Sequence, residues 1–260
     1  MINVILAESR KLRRPTLILS TLAVVTALSG LFTSIVFLNV NSGHNAKRGE
    51  SITAHQLSEA TGMIYGFKLV GFLLGIVALC IFASQTAQEY THGTLRNLLV
   101  RQPARMKILA GKFVAMSIFA AIMVLFAAVI TISLSYFLAS GAKVETSSWS
   151  IGSHIFFQAA INIYFSTILY GTLGMILGLL LRSPISAISV GVIWSLILET
   201  ILSASLPKSA KWLPGQNISN IADGGGVDLS YRHSVLLSLI YLGVAGAIAS
   251  LLFKRRDVAN

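Results

Sequence analysis

Charged side chains are scarce in this sequence. They make up 11% of its 260 residues, against about a quarter in an ordinary soluble domain. So few charges cannot cover a water-facing surface, which excludes a soluble globular chain and leaves a polytopic membrane protein. Cys80 is the only cysteine, so no intrachain disulfide can form; inside an apolar run it reads as a small core residue. Acids number nine against 20 bases. On a soluble protein the net charge of +11 would point to nucleic acid. Here the bases gather at the ends of apolar runs, so topology explains them and nucleic acid is not an expected partner. The five histidines, His44, His55, His92, His154 and His233, show no metal spacing. No Ser-His-Asp set or other convergent catalytic group stands out, so neither an enzyme nor a metal site is expected. A P-loop is lacking as well. It needs G-x-x-x-x-G-K-[ST] so that backbone N–H groups can cradle phosphate. The one Gly-Lys pair, Gly111-Lys112, is followed by Phe113 and has Met106 where the first glycine belongs.

What the chain has in abundance is apolar sequence, 55% of residues, with a mean hydropathy of +0.77. Roughly 20 apolar residues in a helix cross a bilayer core of about 30 Å. Six runs qualify, at about 15–40, 64–87, 113–141, 154–181, 184–206 and 234–253, and they make 1–260 a single all-α transmembrane domain. The first run is too long for a signal peptide and reads as a retained span. The third carries no charge between Lys112 and Lys143, so it must tilt or extend into the headgroups. Six spans place Arg10, Lys11, Arg13, Arg14, Arg96, Arg101, Arg105, Lys107, Lys112, Arg182, Lys254, Arg255 and Arg256 on one side. The opposite loops hold fewer bases, which puts both termini in the cytoplasm. The last residues carry no lipidation signal.

Several stretches are more specific. Residues 1–14 place Ile2, Ile5, Leu6 and Leu12 near helical spacing, with Glu8, Arg10, Lys11 and Arg13 between them. That predicts a short helix along the cytoplasmic interface before the chain turns inward at Pro15. Arg182-Ser183-Pro184 predicts a tight antiparallel connection between the fourth and fifth spans. The loop 207–233 carries Trp212, Leu213, Pro214, Ile218 and Ile221 ahead of Gly224-Gly225-Gly226; its first half predicts short helices that dip into the outer leaflet. Asn217-Ile218-Ser219 matches a glycosylation acceptor by chance. Small-residue pairs four apart, Gly62/Gly66, Gly71/Gly75 and Gly174/Gly178, allow close helix approach. Lys68 and Glu199 lie within apolar runs, where a charge costs about 2.5–3.5 kcal/mol at the bilayer centre. Either they line a substrate path, or pair together, or Lys68 snorkels and Glu199 sits near the outer end of its span.

The most ordered polar block lies between the second and third spans. Glu89 is followed by Gly93, which permits a turn that a Cβ resists, and Thr94 can cap a new helix. Leu95, Leu98 and Leu99 line one face, with Arg96 and Arg101 beyond, and Pro103 ends that helix or starts the next. A rigid amphipathic element between two spans can fill a groove on a soluble partner and pass its motion to both spans.

The string Glu89-Tyr90-x-x-Gly93-Thr94-Leu95, with Leu98, Leu99, Arg101, Pro103, Arg105 and Lys112, resembles the cytoplasmic loop of ABC-2 type transporter permeases. The six spans, the basic first helix and the closing 253–258 stretch resemble that family too. Many members carry a second acid two residues before the glycine, where this chain has Thr91. The resemblance implies the membrane subunit of an ATP-driven exporter in a bacterial cytoplasmic membrane. It implies a second permease copy or homologue and two cytoplasmic ABC ATPase subunits, which would hold the ATP and Mg. The loop residues would form the coupling helix, and a surface helix bearing Ile5, Arg10, Lys11, Arg13 and Arg14 would lie beside it at the lipid. Re-entrant helices would stand between spans five and six. The spans lack a dense charged lining, which points to hydrophobic or amphipathic cargo such as a drug or peptide antibiotic. Two other classes compete: an ion-coupled secondary transporter using Lys68 and Glu199, and a non-transporting membrane anchor or sensor for a cytoplasmic partner. No internal repeat of the inverted-carrier type is evident.

Overall fold

A computed structural model describes residues 2–40, 52–94, 100, 104–226 and 229–255, and among them there is no strand. Apolar surroundings offer no water to backbone N–H and C=O groups, so each run closes its hydrogen bonds within itself as a helix. Side-chain hydroxyls follow the same rule: Thr131, Ser135, Thr167 and Thr172 each donate to a carbonyl four residues back.

A first helix, Ile2–Leu12, precedes six helices long and apolar enough to cross a membrane, which fits a multi-pass membrane protein. These are span one, Pro15–Leu38; span two, Gly62–Thr91; span three, Arg105–Ala139; span four, His154–Leu181; span five, Pro184–Ser205; and span six, Tyr231–Arg255. Two boundaries differ from the sequence expectation. Span three starts at Arg105 rather than near 113 and rises about 52 Å, and span two continues to Thr91. Charged residues end an apolar run without ending a helix, because they reach water beyond the hydrocarbon.

Spans two and four form the core. Of the apolar stretch of each, 61% is buried, against 17% for span six. Their glycines explain the close approach. A Cβ on Gly174 would stand 2.2 Å from the Leu79 carbonyl oxygen, and one on Gly178 2.8 Å from that of Ala83. Reciprocally, Gly71 and Gly75 of span two receive Ile163 and Tyr170 of span four. Of the other pair on span two, Gly66 faces Thr33 of span one and Gly62 faces the Leu57 backbone.

Span five begins as expected, with Ser183 accepting from the Ser186 N–H and Pro184 in the first turn. It then widens into a π-helical segment, Ile193–Leu198, that no sequence pattern foretold. A ten-residue helix, Pro214–Asp223, follows in the loop before span six and packs against span four. Asn217 is buried on it and donates to the Lys211 and Leu213 carbonyls, so it offers no glycan acceptor.

Candidate functional site

The ends of spans two and three that flank the 93–104 loop carry the densest polar chemistry. The first helix lies across span three because Gly111 has no side chain: a Cβ there would stand 2.7 Å from Val4. This places Glu8 beside Lys112. The Lys112 ammonium donates to Glu8 Oε2 at 2.6 Å, Glu89 Oε1 at 2.9 Å and the Gln85 carbonyl at 3.2 Å, which uses all three of its hydrogens. Lys11 donates to Glu8 Oε1 at 2.6 Å and Glu89 Oε1 at 2.8 Å. Two acids and two bases thus form one neutral quartet joining the first helix to spans two and three. Lys112 is 2% exposed and Glu8 3%, so neither charge could stand there alone.

Glu8 and Lys11 are held in their charged forms by their partners. Burial raises the Glu8 carboxyl, but Lys112 and Lys11 together outweigh it and leave its pKa below the ordinary 4.5. Burial lowers the Lys11 ammonium, and Glu89 and Glu8 reverse this, leaving it above the ordinary 10.5.

Other residues expected at this loop are tied to the rest of the bundle. Arg105 donates to the Phe253 carbonyl at 2.9 Å, at the end of span six, where a guanidinium satisfies a terminal carbonyl. The Arg182 guanidinium lies 5.7 Å from the centre of the Tyr90 ring, linking span two to the connection between spans four and five. Gly93 has φ +63°, a left-handed conformation, with open space where a Cβ would be, so its need for glycine is conformational. Thr94 is exposed. Leu95, Leu98, Leu99, Arg101 and Pro103 lie outside the described residues.

On the first helix, Ile5 packs on the core and Leu12 is buried, while Arg10, Arg13 and Arg14 are exposed. Ile2 and Leu6 point outward. Lys11 turns inward to the quartet. Glu8 is the residue that sequence reasoning missed. The signal was available: positions 5, 8 and 12 share one helical face, so the acid stands in line with the buried Ile5 and Leu12. It supplies the second carboxylate beside Glu89 that Thr91 does not.

A second acid is buried far from this cluster. Glu199 is 1% exposed and sits about 22 Å of helix from the start of span five. Its carboxylate accepts from the N–H groups of Gly215 and Gln216, both at 2.8 Å, and from the Trp194 indole at 2.6 Å. An anion there satisfies the first N–H groups of the Pro214–Asp223 helix and its dipole. Trp194 and Glu199, five residues apart, share a face only because the helix widens between them. The Tyr170 hydroxyl donates to the Gly215 carbonyl from the other side. Lys68 is half-buried, and no ion pair joins it to Glu199 among the described residues. No three of His, Cys, Asp and Glu converge as metal ligands among the described residues.

Replacing Glu199 by Gln should loosen this clamp. The amide keeps one acceptor and aims hydrogens at donors. A charged hydrogen bond contributes about 1.5–3 kcal/mol, so tryptic cleavage at Lys211 should quicken roughly tenfold while span boundaries stay protected. An unchanged cleavage rate would refute the clamp.

No curated protein matches the chain. A family model described as a protein of unknown function (DUF2705) matches residues 22–259, which takes in Glu89, Lys112 and Glu199 and leaves out the first helix. The chain belongs to the DUF2705 family.

Proposed function

We propose that the chain is the transmembrane subunit of an ATP-driven exporter, worked by a separate cytoplasmic ATPase through the 93–104 loop. The observation that carries this reading is the wiring of the loop's two roots. Glu89 and Lys112 are bonded to the first helix, Tyr90 contacts Arg182, and Arg105 holds the end of span six. A push on the loop would therefore reach spans two to six and the first helix together. Such a lever suits a subunit that is moved by another protein, and the sequence string around it resembles the ABC-2 permease loop. The excess of bases at this end supports a cytoplasmic position for it.

The opposite side supports the same reading. The Pro214–Asp223 helix starts deep, with Gly215 held to Tyr170, about 16 Å of helix from the Leu181 end of span four. That depth is what a re-entrant outer helix requires. Glu199, on which a gradient-driven carrier would depend, has its carboxylate engaged by three donors. The exposed apolar flanks of spans five and six leave room for a second permease. ATP binding in the partner would bias one arrangement of the two permeases over the other. Cargo is hydrophobic or amphipathic on this reading.

The test is copurification from native membranes in mild detergent. The tagged wild-type chain should bring down a polypeptide that photolabels with an ATP analogue. The double variant Gly93→Asp, Leu98→Glu should lose it at least about tenfold while remaining monodisperse, as removal of an interface anchor does. Undiminished recovery of the ATPase with the variant would refute the assignment of the loop.

A further inference from the structure

The quartet consumes Glu8, Lys11, Glu89 and Lys112 within the protein. The bases left at this end of the first helix, Arg10, Arg13 and Arg14, form no ion pair or hydrogen bond through their side chains with the described residues. Beside them opens a groove of about 290 Å³ between the first helix, span one and span three. Ser9 and Arg13 stand at its mouth, and Leu22, Ile118, Phe119 and Ile122 line its length. The apolar part descends about 12 Å along span three from Ala115 to Met123. Ile118 and Ile122 are 50% and 59% exposed, so the groove opens sideways from the bundle.

We infer that this groove binds one anionic phospholipid, its phosphate on Arg13 and Ser9 and an acyl chain along Leu22, Ile118 and Ile122. Two features select this occupant. A guanidinium with its donors free sits where a headgroup would lie, and it matches phosphate in charge and fork geometry. Below it the lining turns apolar in the direction of the spans, so a ligand must be charged at one end and greasy at the other. A bound lipid would touch the first helix, span one and span three together and so brace the quartet from outside. The inference rests on the bilayer orientation proposed above, in which this end meets the anionic cytoplasmic leaflet.

Native mass spectrometry of the purified full chain tests it, after exchange into micelles doped with phosphatidylglycerol or phosphatidylcholine. The wild type should retain one phosphatidylglycerol in preference to phosphatidylcholine. Arg13→Gln should lower that retention about tenfold, whereas Arg14→Gln, which leaves the groove intact, should lower it less than twofold. Ile118→Trp, at a half-exposed position that tolerates bulk, should block the chain and reduce both lipids. Equal loss in R13Q and R14Q would reduce the effect to diffuse surface attraction and overturn the site. Equal retention of the two lipids, or of neither, would overturn it too. No ATPase takes part, so failure here would leave the copurification result standing on its own.

Discussion

Lys112→Met should unfold at a lower temperature than any other single charge deletion on this chain. The substitution keeps the stem length and removes the ammonium that serves Glu8, Glu89 and the Gln85 carbonyl. Two buried carboxylates would then share Lys11 alone, whose side chain is 34% exposed. Breaking a buried ion set by removing one partner costs about 3–5 kcal/mol, because the opposite charge is left uncompensated. The double variant Glu8→Leu, Lys112→Met restores charge balance and should recover a good part of that loss. Differential scanning fluorimetry of the single and double variants in the same detergent makes the comparison. Additive losses would mean that Glu8 and Lys112 do not interact, which the 2.6 Å contact forbids. The contributions of Glu8 and Lys11 should also be insensitive to pH near neutrality. Glu8, with its pKa lowered, contributes above its unfolded value and loses that only as the pH falls through the folded one. Lys11, with its pKa raised, contributes below its unfolded value and loses that only as the pH rises through the folded one.

Gly174→Ala should be the most damaging methyl group that can be added to the seam between spans two and four. The new Cβ would meet the Leu79 carbonyl at 2.2 Å, and a backbone atom cannot swing aside as a side chain can. Spans two and four must separate, which loosens the packing of Gly71, Gly75 and Gly178 as well. A loss of about 3 kcal/mol or more is expected, at the upper end of overpacking effects. The same change at Gly30, where nothing lies within 4 Å, should be neutral or stabilising, since alanine favours a helix interior by about 0.5–1 kcal/mol. Size-exclusion profiles and thermal midpoints of the two variants decide the matter. Equal behaviour would mean that span four does not meet span two along this seam.

These two residues also show where sequence reading reached and where it stopped. Gly174 and Gly178 were recognisable as a close-packing pair, but so were Gly62 and Gly66, and spacing could not say which helix each would face. Gly111-Lys112 reads in the sequence as a failed phosphate loop, with Lys112 also a basic member of the loop string. Its two residues instead seat the first helix and close the quartet. Nothing local in the sequence assigns Glu89 a partner, whereas the fold gives it Lys11 and Lys112. Glu199 was left between a path residue and a shallow charge, because its partners Gly215 and Gln216 stand across a loop and Trp194 across a π-helical turn.

Hydrophobic periodicity and charge placement are local properties, and a chain in an apolar medium has little choice but to form helices where they run. The number of spans, the short first helix, the tight turn at Arg182-Ser183-Pro184 and the concentration of bases at one end therefore followed from the residues in order. Which helices touch did not, because close packing depends on shape matched across the bundle between residues distant in the chain. Tertiary structure alone brought Glu8 to Lys112, Arg105 to Phe253 and Glu199 to Gly215. Once water is excluded, a buried charge must find its counterpart wherever the fold delivers one.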